Sequence, residues 1–213
     1  MAFIAVAALA PAHQLRVGVV SALASALAVK PSPTLWYLTR ATATSAYVAL
    51  SLSVMLGILQ VIAHNAGERL SWLVDESHKF VAMLSGVLVV GHLVTLLLDP
   101  FLPFSLINLF VPLNEPYRQT AVNLGVFALY ALALLLFTSW LRRRMRYRLW
   151  RGVHYISFLM FALATAHGWL AGSDSGEPWM RAIYGGAAAM VVFLTLVRLF
   201  VGPSREQPFT KPA

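Results

Sequence analysis

The sequence predicts an all-α integral membrane protein, a bundle of five core transmembrane helices plus an N-terminal sixth helix. Three observations carry this. Of its 213 residues 59% are hydrophobic and only 11% charged, with a mean hydropathy of +0.73; a soluble domain has about 45–50% apolar and about 25% charged residues. Five stretches approach the roughly 20 apolar residues that a helical span needs. Six of the sixteen basic residues crowd into Arg142–Arg151, between two apolar runs, as in a cytoplasmic loop of a membrane protein.

The five spans are expected at Trp36–Ala63, Ser77–Leu98, Thr120–Leu141, Gly152–Ala171 and Ala182–Val201. Before them, Phe3–Ala12 and Val17–Val29 are apolar but interrupted by Pro11, His13, Gln14 and Arg16. Small residues such as Ala8 and Ala10 would fit a cleaved signal peptide. No Lys or Arg precedes the apolar run, however, which favours a membrane helix over residues 1–30. Residues 35–201 then form one membrane domain, and the polar, proline-containing residues 202–213 a disordered cytoplasmic tail.

The positive-inside rule orients the bundle. With Arg142–Arg151 inside, alternation puts the 64–77 loop and the tail inside and the 99–119 and 172–181 loops outside. Eleven Lys and Arg residues then fall inside and four outside (Lys30, Arg40, Arg118 and Arg181), with Arg16 in the first segment. The outer arginines Arg118 and Arg181 are offset by Asp99, Glu115, Asp174 and Glu177. Four prolines in the 99–119 loop exclude a regular spanning helix, while Phe101, Phe104, Leu109 and Phe110 suit a segment lying in the interface or capping a site.

Several function classes fall away. There is no cysteine, hence no disulfide, thiolate-ligated iron–sulfur cluster or thiolate nucleophile. The net charge of +8 belongs to the loop pattern and comes with no nucleic-acid-binding signature. Nucleotide-binding glycine motifs are also missing.

The chemistry rests on histidines. His78 and His92 lie fourteen residues apart on one expected span, and His154 and His167 thirteen apart on another. An ionisable residue within a membrane is costly and points to function. At 1.5 Å per residue the separations are roughly 21 and 20 Å, inside a hydrocarbon core of about 30 Å. The two spans run the same way, so His78 and His154 fall near the inner leaflet and His92 and His167 near the outer one. A flat macrocycle clamped between each pair, one imidazole on each face, gives two stacked sites. Four histidines so spread cannot share one metal ion, and no H-E-x-x-H is present. One feature strains this picture. At 100° per residue, fourteen residues leave the second histidine roughly 40° from the first, but thirteen leave it roughly 140° away, so the fourth span must bend or twist, or present its histidines on different sides. His13 and His64 lie near segment ends and read as interfacial. Gly168 and Gly172 form a G-x-x-x-G, a close-packing signal that would also make room for a ring beside His167; Gly86 and Gly91 would do the same near His92. Arg40 reads as a snorkelling anchor or the partner of a haem propionate. Trp36, Tyr37, Trp150 and Trp179 fit an aromatic belt.

These residues resemble the ferric reductase-like transmembrane domain family, which includes the membrane parts of ferric reductases and NADPH oxidases. That family is related to the haem-binding membrane subunit of the methionine sulfoxide reductase system. The resemblance covers roughly Leu35–Leu199. It rests on Trp36-Tyr37-Leu38-Thr39-Arg40-Ala41-Thr42, on Thr138-Ser139-Trp140-Leu141 with its following arginines, on Leu149-Trp150-Arg151-Gly152-Val153-His154, and on the histidine spacings. It implies two haem b groups, with His78 and His154 as axial iron ligands of the inner one, His92 and His167 of the outer one, and Arg40 close to haem. Because all four histidines are present, the two-haem type fits better than the sulfoxide reductase subunit. The chain departs from the full-length oxidases in having no dehydrogenase domain of its own, so any FAD would sit on a separate partner. The resulting expectation is an electron carrier of a bacterial plasma membrane. Its donor would be a cytoplasmic-side flavoprotein or quinol, its acceptor an external ferric chelate, a periplasmic redox protein or oxygen. The alternatives are a one-haem subunit of a partner oxidoreductase, and a non-haem transporter or assembly protein with pathway histidines.

Overall fold

The structure, a computed structural model, describes residues 33–66, 68–99, 104–112 and 118–201. The expected helix over 1–30 and the expected tail over 202–213 lie outside them. The described residues contain helices and no strand: α1 Pro33–Ala66, α2 Glu68–Leu98, α3 Leu106–Phe110, α4 Gln119–Trp140, a 3₁₀ turn at Arg142–Arg144, α5 Tyr147–His154, α6 Ile156–Ala171 and α7 Pro178–Val201. Five helical spans are long and apolar enough to cross a bilayer, with α5 and α6 together forming the fourth. This is the all-α membrane architecture the composition predicts.

The boundaries differ from expectation by three to five residues at the starts of α1, α5 and α7, and most at the start of α2. The 64–77 segment is not a loop, because α2 already begins at Glu68. Its polar turns are helical because Lys79 bridges Asp75 at 2.5 Å and Glu76 at 2.8 Å, pairs that helical i,i+4 and i,i+3 spacing brings together. Charged residues hide this extension from a hydropathy reading. The 30-residue span Arg69–Leu98 is about 45 Å long, so it extends beyond the hydrocarbon.

The core is formed by four of the five spans. Tyr47, Leu50, Val54 and Ile58 of α1 meet Leu132 and Leu135 of α4, Met160 and Phe161 of α6, and Tyr184, Ala187 and Val191 of α7. A hydrogen bond between the Tyr47 and Thr165 hydroxyls (3.1 Å) crosses it, and the Tyr47 and Tyr184 rings meet edge to face. Gly168 allows this: a Cβ there would stand 2.5 Å from the Tyr184 hydroxyl. Gly168 of the G-x-x-x-G pattern thus serves close packing of α6 on α7.

Helix α2 stands apart. It packs along α1 but scarcely touches α4 or the α5–α6 run. Only 6% of its apolar window is buried, against 44% for α1 and α4. Near its far end a second cluster forms, where Phe104 and Leu109 of the proline-rich connection pack on Leu93, Leu96, Leu97, Val122 and Val126. A Ser105–Asn108 capping box starts the short α3, and the Tyr130 hydroxyl donates to the Phe110 carbonyl. The connection thus folds back against α2 and α4, as its apolar residues suggest.

Candidate functional site

The four singled-out histidines lie on the two helical runs that flank this open seam. All four rings are half-buried, whereas His64 is exposed; His13 lies outside the described residues. The structure brings His78 and His154 together, with ring centres 6.1 Å apart and planes at 74°. His92 and His167 lie within electrostatic reach of each other. The two runs are parallel, and each offers one histidine at either end of the seam.

The awkward thirteen-residue spacing has a local explanation. Helical structure is interrupted at Tyr155, directly after His154, where the chain passes from α5 to α6. The Phe158 N–H bonds to Tyr155 O, three residues back. His154 and His167 thus sit on either side of this break, not on one ideal helix.

Three of the four imidazoles are tethered through Nδ1 to a backbone carbonyl of a neighbouring helix. His78 donates to Ser53 O (2.9 Å) and His92 to Thr39 O (3.2 Å), both on α1. His167 donates to Ala121 O (2.7 Å) on α4. A carbonyl oxygen can only accept, so Nδ1 carries the hydrogen in each ring and Nε2 keeps its lone pair. Metal-binding histidines are held and oriented in this way. His154 is the exception: its Nδ1 is buried without a hydrogen-bond partner.

Two glycines make room for the rings. A Cβ on Gly125 would stand 2.7 Å from His167 Nδ1 and Cε1, and one on Gly57 3.3 Å from His78 Cε1. Neither was legible as special in the sequence. A Cβ on Gly91 would meet Thr42, and one on Gly86 the Leu136 side chain.

Arg40 is near the His92 end, one residue from the Thr39 carbonyl. Its fork holds Asp174 bidentately, Nε to Oδ2 at 2.9 Å and the second nitrogen to Oδ1. Its guanidinium also lies 5.8 Å from the Trp36 ring centre and 6.0 Å from that of Tyr37. Arg118 donates to the Leu170 carbonyl (3.0 Å), capping α6, and Arg181 to that of Ser175 (3.2 Å).

The geometry can be tested against a flat, metal-centred group. Imidazoles on both faces of one metal ion have ring centres about 6 Å apart, from a metal–nitrogen distance of about 2 Å and roughly 1 Å more to each ring centre. The 6.1 Å observed between His78 and His154 matches. The Nε2 lone pairs of His78, His92 and His167 and the seam between α2 and α5–α6 also fit. Among the described residues no three His, Asp or Glu side chains converge. The residues therefore fit haem.

The family described as ferric reductase like transmembrane component matches residues 42–165. No curated protein and no solved structure matches the chain.

Proposed function

This chain belongs to the ferric reductase-like transmembrane family, and from that premise we propose that it carries electrons across the bilayer on two b-type haems. His78 and His154 would hold one, His92 and His167 the other. The observation that carries this is the facing of His78 and His154 across a seam where their helices scarcely touch.

Held between these histidine pairs, haem would supply reversible one-electron chemistry, suited to electron transfer. The chain's own work is orientation and exclusion. Ser53, Thr39 and Ala121 carbonyls hold the tautomer that leaves Nε2 free. The packed α1–α4–α6–α7 core keeps these carbonyls fixed. Phe104 and Leu109 pack on Leu93 and Leu97, just beyond His92 on α2. Arg40, beside the Thr39 anchor, is the cation suited to an anionic edge of the group at that end, in exchange or shared with Asp174.

By the positive-inside rule the Arg142–Arg151 end faces the cytoplasm. Electrons would enter there from a flavoprotein or quinol. They would leave at the His92–His167 end to a ferric chelate, a periplasmic redox protein or oxygen. A one-haem subunit is the second reading, favoured by the missing tether at His154.

Haem quantified per chain separates the two. Two haems should fall to one in His78→Leu, with His92→Leu losing the other. One haem in the wild type, unaffected by His78→Leu, would establish the second reading instead.

A further inference from the structure

His154 lacks the tether that its three counterparts share, and something else must hold it. Its Nδ1 is buried and unpartnered, as is the indole Nε1 of Trp150. The two rings are stacked, with centres 4.9 Å apart and planes at 26°. Four-residue spacing on α5 places them on one helical face. The Arg142 guanidinium, from the 3₁₀ turn, lies over the indole at 4.4 Å and within electrostatic reach of His154. Cation, indole and imidazole thus form one continuous stack, running from the arginine-rich turn to the ring that faces His78. A cation over an indole face is attracted by the ring quadrupole, so Arg142 also restrains the indole on which His154 rests.

Taking the two-haem assignment as given, we propose that Arg142 and Trp150 are positioning residues for His154, and that they set the potential of its haem apart from that of the other. Two effects act in the same direction. An Nδ1–H donated to a carbonyl strengthens an imidazole as an electron donor to its metal, which favours the oxidised iron. His92 and His167 both have this bond, whereas His154 does not. A nearby cation favours the state with the extra electron, and Arg142 supplies one at the His154 end. Near His78, Lys79 is bridged to two carboxylates, Asp75 and Glu76, which leaves one net negative charge on a solvent-exposed turn, acting against Arg142. Arg142 and the missing Nδ1 bond of His154 therefore both raise the potential of the His78–His154 haem. Trp150 is more than a belt residue, and Arg142 differs in role from the arginines beside it.

The test is a potentiometric titration of the full-length purified protein, followed optically and by low-temperature electron paramagnetic resonance. Wild type, Arg142→Gln, Arg143→Gln, Trp150→Phe and Trp150→Leu are compared. Arg142→Gln should lower one haem midpoint and leave the other in place, while Arg143→Gln moves neither comparably. Trp150→Phe should keep both low-spin signals. Trp150→Leu should shift the g-values of one haem or lose that haem alone, the intact signal of the other reporting a folded bundle. If Trp150→Leu loses both, Arg142→Gln decides, since Arg142 is exposed. Unchanged midpoints and signals in Arg142→Gln and Trp150→Leu, or equal shifts in the two arginine variants, would overturn the inference. A wild type without haem would overturn the assignment beneath it.

Discussion

At one end of the seam, His92 and His167 are each fixed by a hydrogen bond to the backbone of a core helix. At the other, His78 has such a bond, but His154 rests on a stacked indole beneath an exposed arginine. The first end is further closed by the Arg40–Asp174 pair and by a glycine at van der Waals limits from His167. The second opens onto a turn of arginines. Identical side chains thus receive different support: rigid and backbone-based at one end, side-chain-based and reachable from the surface at the other. Backbone anchors hold a geometry against substitution of the anchoring residue, because the carbonyl remains. Side-chain stacks can be altered one residue at a time, and they bring local charge with them.

The largest expected effect breaks the rigid end. Gly125→Val would drive its side chain into the His167 ring, since even a Cβ would lie 2.7 Å away. Overpacking of this kind costs about 1–3 kcal/mol. Haem per chain should fall from two to one, and thermal melting should show the loss of stability. A full complement of haem in this variant would mean that His167 is not tightly seated.

Next is the clasp at the same end. Asp174→Asn leaves the Arg40 fork, a third of it exposed, without its charged partner. By the usual worth of hydrogen bonds to charged groups this costs about 1–2 kcal/mol, readable as a drop in melting temperature. Arg40→Gln sharpens the result. If Arg40 is only a clasp, both variants melt alike and both spectra stay as in the wild type. If it also faces the haem, Arg40→Gln alone shifts the spectrum of one haem.

The smallest effect compares the two glycines. Gly57→Ala places its Cβ 3.3 Å from His78, a distance that a shift of a few tenths of an ångström relieves. Both haems should remain, with a stability change below about 1 kcal/mol. Gly125→Ala, at 2.7 Å, should be clearly worse in the same melting assay; equal effects would remove the distinction between the ends.

The five spans were legible because lipid demands long apolar runs, and such runs cannot be hidden. The first turns of α2 were not, because their stability comes from Asp75, Glu76 and Lys79, residues that resemble a loop by hydropathy. The histidine pairs stood out because ionisable groups are rare in such segments. Their supports did not. A carbonyl acceptor such as Ser53, Thr39 or Ala121 carries no signature in the side chain above it. Gly57 and Gly125 look like any other glycine in a membrane helix. Trp150 fits an interfacial aromatic by sequence, although its i,i+4 relation to His154 is a usable signal. Asp174 looks like a loop charge, and no sequence rule pairs it with Arg40 across 134 positions. The break at Tyr155 was foreshadowed only by the thirteen-residue spacing, which an unbroken helix could not reconcile with two aligned ligands.

The most direct test is the dithionite-reduced minus oxidised absorption spectrum of the detergent-purified protein, with haem quantified as the pyridine haemochrome. A low-spin b-type spectrum at about two haems per chain is the expected result, one for each histidine pair. A colourless protein, purified after expression with ample haem, would contradict electron transfer through this seam and return the four histidines to a transport or structural role.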